Sequence, residues 1–148
     1  YHGQNMIKDL LITPLSVIET PDGEVMHGMK NVDEGFNGFG EAYFSIVEFK
    51  AIKAWKRHQL MTLNILVPNG KIRFVFMDDR KSKKAKFQEI IVSKENYCRL
   101  TIPPMIWMGF QGLSKNNSFL LNLADIAHDP DEVDKRTIDE IEYNWSNK

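Results

Sequence analysis

The sequence predicts an all-β protein, and three observations carry that prediction. Apolar, β-branched and aromatic residues gather in about ten short runs of strand length. Clusters of Pro, Gly, Asn and Asp separate these runs. Before Asp125 no segment carries the 3.6-residue apolar period of a helix. This pattern fits a sandwich or a barrel. Strand periodicity alone leaves a jelly roll, an immunoglobulin-like sandwich and a lipocalin-like barrel open. The lack of paired cysteines disfavours the immunoglobulin case.

From the N-terminus, Ile7 to Ile12 is apolar and ends at Thr13-Pro14. Leu15 to Glu19 ends at Pro21-Asp22-Gly23, where Pro presets φ and Gly takes the positive-φ position. Glu24 to Lys30 is the expected return strand, and the glycine-bearing stretch Asn31 to Gly40 is a loop. Strands are then expected over Tyr43 to Phe49, Ile52 to His58 and Thr62 to Val67. Pro68-Asn69-Gly70 is the strongest hairpin signal in the chain, leading into Lys71 to Met77. The basic run Arg80 to Lys86 reads as a solvated loop. Phe87 to Ser93, Tyr97 to Ile102, Trp107 to Leu113 and Phe119 to Ala124 complete the strands. Trp107, Phe110 and Phe119 are expected in the core. Asp129 to Asp134 reads as the acidic first turn of a short C-terminal helix.

The 148 residues fit one core, with 19 basic against 20 acidic side chains and a net charge of −1. That balance argues against a nucleic-acid or membrane-surface binder, which needs a large basic excess. A lone cysteine, Cys98, rules out an intrachain disulfide and fits a reducing cytoplasm. No apolar run approaches the ~18 residues of a membrane span. Tyr1 to Asn5 precede Met6, read as the native start; they are set aside as an expression remnant, leaving residues 6–148 as one expected domain.

The most informative stretch is Ile52-Lys-Ala-Trp-Lys-Arg-His-Gln59. Lys56 and His58 lie two apart on an expected strand, so they share a face. An ammonium and an imidazole on the inner face of an apolar barrel are costly unless a ligand or a reaction uses them. The competing reading places both on the wet outer face.

Several segments together resemble the dTDP-4-dehydrorhamnose 3,5-epimerase family, a branch of the cupin superfamily. Gly38-Phe-Gly-Glu-Ala-Tyr-Phe-Ser45 is similar to that family's Gly-Phe-Phe-Glu segment. Lys53-Ala-Trp-Lys56 stands where the family has Arg-Gly-Leu-His. The turn at Pro68-Asn-Gly70, followed by Lys71 to Arg80 ending Asp-Asp-Arg, resembles the family hairpin ending in Asp-Leu-Arg. Ser93-Lys-Glu-Asn96, Leu100-Thr-Ile-Pro-Pro104 and Met105-Ile-Trp-Met-Gly-Phe110 resemble its Ser-x-Glu-Asn, Ile-Pro and Gly-Phe-Ala-His-Gly-Phe steps. The resemblance implies a cupin-type jelly-roll barrel with a short C-terminal helical segment. It also implies a cytoplasmic homodimer that binds a nucleotide-linked 4-keto sugar and needs no cofactor.

The reaction implied is epimerisation or isomerisation by enolisation next to the ketone, in surface polysaccharide synthesis. It needs a base, an acid on the opposite side, and a positive donor for the enolate oxygen. The family's base His becomes Lys56, and its second His becomes Met108. Its Tyr is missing from Phe119 to Ala124, where Asn122 is the strongly polar residue. Its Lys falls near Leu63 or Asn64. The expected catalytic residues are therefore His58, Lys56 and Asn122. Arg73, His27, Lys30, Glu41 and Asn64 are the expected substrate contacts, with Tyr43 a similar case to Glu41. Arg73 offers a bidentate guanidinium for a diphosphate. Many cupins hold a metal, but the matching positions here are Lys56, His58, Thr62 or Leu63, and Met108, so no metal is expected. Two other functions compete: a sugar- or nucleotide-binding cupin without catalysis, and a 3,4-ketoisomerase, for which a His pair would be expected.

Overall fold

The computed structural model describes residues 6–81 and 84–146; Tyr1 to Asn5, expected to be a remnant, and part of the basic run lie outside them. Twelve strands are seen among these residues. They are β1 (Leu11–Pro14), β2 (Val17–Thr20), β3 (Gly23–Met26), β4 (Glu41–Val47), β5 (Ile52–His58) and β6 (Leu63–Asn69). They continue with β7 (Lys71–Asp78), β8 (Lys86–Ser93), β9 (Cys98–Ile102), β10 (Trp107–Gly112), β11 (Ser118–Ala124) and β12 (Val133–Lys135). Two five-stranded antiparallel sheets face each other, in the orders β1-β9-β6-β11-β4 and β12-β5-β10-β7-β8, and β2 and β3 form a separate hairpin. This is the cupin-type jelly roll. No helix among the described residues is long and apolar enough to cross a membrane.

The two inner faces meet in one core. Leu63, Ile65 and Val67 of β6 alternate inward against Ile72, Phe74 and Phe76 of β7, with Cys98 and Leu100 of β9 beside them. This packing corrects the hairpin expected at Pro68-Asn69-Gly70. β6 pairs with β9 and β11, whereas β7 pairs with β8 and β10. The turn therefore carries the chain from one sheet to the other, because both strands bury an apolar face in the same core. Gly70 makes the crossing at φ +93°, where a Cβ would lie 2.6 Å from Ser118 Cα. Pro14 ends β1 without harm, since β1 is an edge strand. Burial pushes the Cys98 thiol up to about 11, so it stays a protonated core group.

A second apolar layer lies outside the other sheet. Trp55, Val75, Met77 and Trp107 pack there under Ile141 and Trp145 of the C-terminal segment. That segment is not the expected helix. It forms two three-residue 3-10 turns, Pro130–Glu132 and Ile138–Glu140, with β12 between them. β12 pairs along β5, matching Val133 with His58, Asp134 with Arg57 and Lys135 with Lys56. Phe119 departs from its expected core position and is 39% exposed.

We expect Gly70→Ala to lower stability by about 1–3 kcal/mol, from a positive φ and a backbone clash together. Urea unfolding measures this. An unchanged midpoint would contradict the tight crossing between the sheets.

Candidate active site

The jelly roll encloses a cavity of about 410 Å³ that opens between its two sheets. β5 supplies Lys53, Lys56 and His58 to the lining, and β12 with the residue after it supplies Lys135 and Arg136. The facing sheet supplies Tyr43 and Ser45 from β4, Leu63 and Ile65 from β6, and Leu120 and Asn122 from β11. Met108 and Phe110 of β10 complete the apolar part. Lys56 and His58 thus share one face, as their spacing predicts, and it is the inner one. Arg57, between them in sequence, points outward, bonds Asp134 at 2.7 Å and lies 4.8 Å over the Trp107 ring.

His58 Nδ1 makes a short hydrogen bond to Glu132 Oε2. Glu132 is 3% exposed, and its other oxygen accepts the Leu60 and Met61 amides at 2.9 and 3.1 Å. Burial alone would raise this carboxyl. The His58 bond and the two amides outweigh burial and hold it below the usual glutamate range. An ionised carboxylate only accepts, so Nδ1 carries the proton and Nε2 of the neutral ring keeps its lone pair. Asp129 to Asp134 is therefore not a helix start. It brings a buried carboxylate to the back of His58.

The opposite wall carries a second polar pair. Asn122 and Tyr43 are register partners on β11 and β4, and Asn122 Nδ2 donates to the Tyr43 hydroxyl oxygen at 3.0 Å. Burial raises the phenol, the Asn122 bond opposes the rise, and the Glu41 charge adds to it. The Tyr43 hydroxyl keeps its proton at neutral pH and can donate it. Asn122 Oδ1 is buried with no hydrogen-bond partner among the described residues, an acceptor suited to a ligand hydroxyl. Strand Phe119 to Ala124 lacks a tyrosine, but its neighbour β4 places one against Asn122.

The electrostatics of the lining are one-sided. It contains Lys53, Lys56, Lys135 and Arg136 and no Asp or Glu. Burial, then the charges of Lys135 and Lys53, lower the Lys56 ammonium below the ordinary lysine range. Such a cavity favours an anionic ligand. A cupin metal does not fit the residues present. His58 is the sole ligand type among Lys56, His58, Leu63 and Met108, and its Nδ1 is engaged by Glu132. Among the described residues no three His, Cys, Asp or Glu side chains converge.

No protein-family model matches the chain, and no curated protein matches it either. Solved structures do match. A dTDP-sugar isomerase from Desulfovibrio desulfuricans G20 superposes with a TM-score of 0.89 at 31% identity, over 96% of this chain and 94% of that one. The chain belongs to the dTDP-sugar isomerase family. Its fold recurs in a sugar 3,4-ketoisomerase from Thermoanaerobacterium thermosaccharolyticum solved with TDP (TM-score 0.74, 16% identity, 91% and 93% covered). It recurs again in the dTDP-4-dehydrorhamnose 3,5-epimerase of Elizabethkingia anophelis NUHP1 (TM-score 0.77, 16% identity, 95% and 83% covered).

Within this family member, the expected substrate contacts divide. Arg73 is buried on the outer face of its sheet, with its guanidinium 3.4 Å from the Trp145 carbonyl. Its parity opposes that of Ile72 and Phe74, so it does not reach the cavity. Asn64 likewise faces away; its amide donates to the Gly35 carbonyl at 2.9 Å and its oxygen accepts from Thr101. Leu63 takes the inward position instead. His27 and Lys30 border a separate outer groove beside Arg99. Glu41 accepts from the His128 amide at 3.2 Å and meets the cavity only through its charge on Tyr43. Sequence reading misses Glu132, Lys135 and Arg136, and gives Tyr43 a lesser place; the signal is an acidic and basic run that pattern assigns to a helix.

Because Glu132 is depressed in the fold, its contribution is complete above its unfolded value of about 4.3 and fades as pH falls below it. We expect Glu132→Gln to cost about 1–3 kcal/mol at pH 7. The gap from the unmodified protein should close as pH drops through 4 toward 2. Urea titrations across pH check this; a gap that widens in acid would contradict the assignment.

Proposed function

We propose that this protein is a metal-independent epimerase or isomerase of a nucleotide-linked 4-keto sugar. The observation that carries the reading is the pairing of walls: a carboxylate-held imidazole on one sheet and a protonated phenol on the other, lining one cavity. Enolisation needs a base and an acid in that relation. His58 Nε2 removes the proton on the carbon beside the ketone. Lys56 faces the charge that develops on the ketone oxygen. Tyr43, held by Asn122, returns a proton from the opposite side. Lys53 and Lys135 offer cationic groups to the diphosphate, while Asn122 Oδ1 takes a sugar hydroxyl. The relatives named as dTDP-sugar isomerase, 3,4-ketoisomerase and 3,5-epimerase support the same substrate class. A role in surface polysaccharide synthesis, in the cytoplasm where nucleotide sugars are made, fits this chemistry.

A non-catalytic binding cupin is favoured by the loss of the family's His and Tyr from their usual positions. The His58–Glu132 and Tyr43–Asn122 couples weigh against it, because a binding cavity needs neither a proton acceptor nor a donor placed across from it.

The test is solvent exchange. In D2O with TDP-4-keto-6-deoxyglucose, NMR should follow deuterium entry beside the ketone. His58→Ala should slow it by about 10²–10⁴-fold. Tyr43→Phe should leave the first exchange and cut formation of the inverted product by about 10²-fold or more. Tight binding with no exchange across a panel of dTDP- and GDP-4-keto sugars would replace the enzyme with the binding module.

We further propose a homodimer. Edge strand β4 turns Phe44 and Ile46 outward, 64% and 55% exposed, beside Phe119 of β11. An apolar edge of this kind needs cover. Light scattering should give twice the chain mass, and Phe44→Asp with Ile46→Asp should give a folded monomer. A monomeric unmodified protein would remove the proposal.

A further inference from the structure

Lys56 is placed differently from the other cations of the cavity. Its register partner across the β5–β12 pair is Lys135, so two ammonium groups stand directly opposite each other on one face. Like charges so placed repel. Among the described residues neither lysine makes an ion pair, and no carboxylate lines the cavity to relieve them. Lys56 also borders a small recess beyond the cavity, with His58 as its only other polar neighbour there. Met61, Leu63, Ile102, Pro103, Ile106 and Met108 form the rest of that recess. Lys53, Lys135 and Arg136 line the main cavity alone. The geometry therefore sets Lys56 at the base end of the site and leaves Lys53 and Lys135 for the diphosphate, since the Arg136 guanidinium lies over the outer Trp107 ring.

The Lys56 side chain is exposed toward the cavity mouth, yet the second ammonium opposite it and the apolar recess beside it both favour the neutral, nucleophilic form. A lysine meant only to hold an anion gains nothing from it. We propose that Lys56 is a covalent catalyst that condenses with the ketone of the sugar to form an iminium ion. This rests on the reading of the cavity as a keto-sugar site and deepens it. The lowered Lys56 ammonium agrees with the geometry.

The chemistry balances without a co-reactant. The neutral amine adds to the carbonyl carbon, and with one further proton the carbonyl oxygen leaves as water, giving the iminium. His58 Nε2 takes the proton from the adjacent carbon. The C–H electron pair becomes a C=C bond, and the C=N π pair moves onto nitrogen, giving a neutral enamine. Tyr43 protonates the carbon from the opposite wall, which restores the iminium. Addition of water then releases the ketone, the free amine and the proton taken up at the start, while His58 gives its proton to solvent and Tyr43 regains one from it. The iminium is a stronger electron sink than a hydrogen-bonded ketone, which explains why a lysine occupies this place.

Reductive trapping tests the step. The protein is mixed with TDP-4-keto-6-deoxyglucose and cyanoborohydride, which reduces iminium ions in preference to ketones. Intact mass and peptide mapping then locate the adduct. We expect one reduced sugar-nucleotide adduct, on the peptide bearing Lys56. Lys56→Arg, folded by circular dichroism and still binding TDP, should lose both the adduct and the deuterium exchange. Lys135→Met should keep the adduct but move the pH at which it forms upward. The titrating and charged neighbours left around Lys56 are then Lys53 and His58 on β5, Arg136 after β12 and Tyr43 on β4. Exchange without any adduct, or full exchange in Lys56→Arg, would overturn the covalent step and leave the enolising enzyme intact. An adduct on Lys53 or Lys135 would overturn the assignment to Lys56. Neither adduct nor exchange would overturn the keto-sugar reading as well.

Discussion

The contact between His58 and Glu132 ties the site to the fold. Glu132 is nearly inaccessible, and a buried carboxylate is tolerated only when its charge is shared. Three donors share it here: the His58 ring and the amides of Leu60 and Met61. The same bonds orient the imidazole, fix which nitrogen carries the proton, and anchor the start of β12. The remainder of β12 depends on that anchor, because Lys135 reaches the cavity only if β12 stays zipped along β5.

β5 performs two tasks through its alternation. Its inner face gives Lys56 and His58 to the cavity, while its outer face gives Arg57 to Asp134 and to the Trp107 ring. Arg136 lies over the same ring at 4.5 Å, so Trp107 is covered by two guanidinium groups, one from β5 and one from the residue after β12. The clamp outside and the dyad inside thus hold one strand pair. The second wall is supplied by β4 and β11, which reach the cavity because the turn at Gly70 sends β6 and β7 into different sheets rather than into one hairpin.

Much of this is legible in the sequence, and the exceptions have physical causes. The strand Ile52 to His58 is predicted with its limits intact, because aromatic and β-branched residues fit a pleated surface whatever lies around it. That Lys56 and His58 share a face needs only the period of two; that the face is the inner one is decided by the packing of the two sheets. The pairing of β6 and β7 escapes the sequence because Pro-Asn-Gly fixes the tightness of a turn but not whether the strands leaving it meet edge to edge or face to face. Only the shared core of Ile65, Val67, Phe74 and Phe76 decides that. Glu132 escapes because an acidic run after a polar loop satisfies the rules for a helix start, and its real partner is 74 residues away. Tyr43 is underrated for the same reason: its relation to Asn122 exists only across the β4–β11 pair. Residue type places Arg73 at the site and the family resemblance places Asn64 there, and their parity turns them away from it.

Whether Glu132 fixes the protonation of His58 is tested most directly by nitrogen-detected NMR of the imidazole. With uniformly ¹⁵N-labelled protein, we predict that the neutral form of the His58 ring carries its proton on Nδ1, with Nε2 bare, and that this preference is lost in Glu132→Gln. A His58 protonated at Nε2, or one exchanging freely between both forms in the unmodified protein, would contradict it.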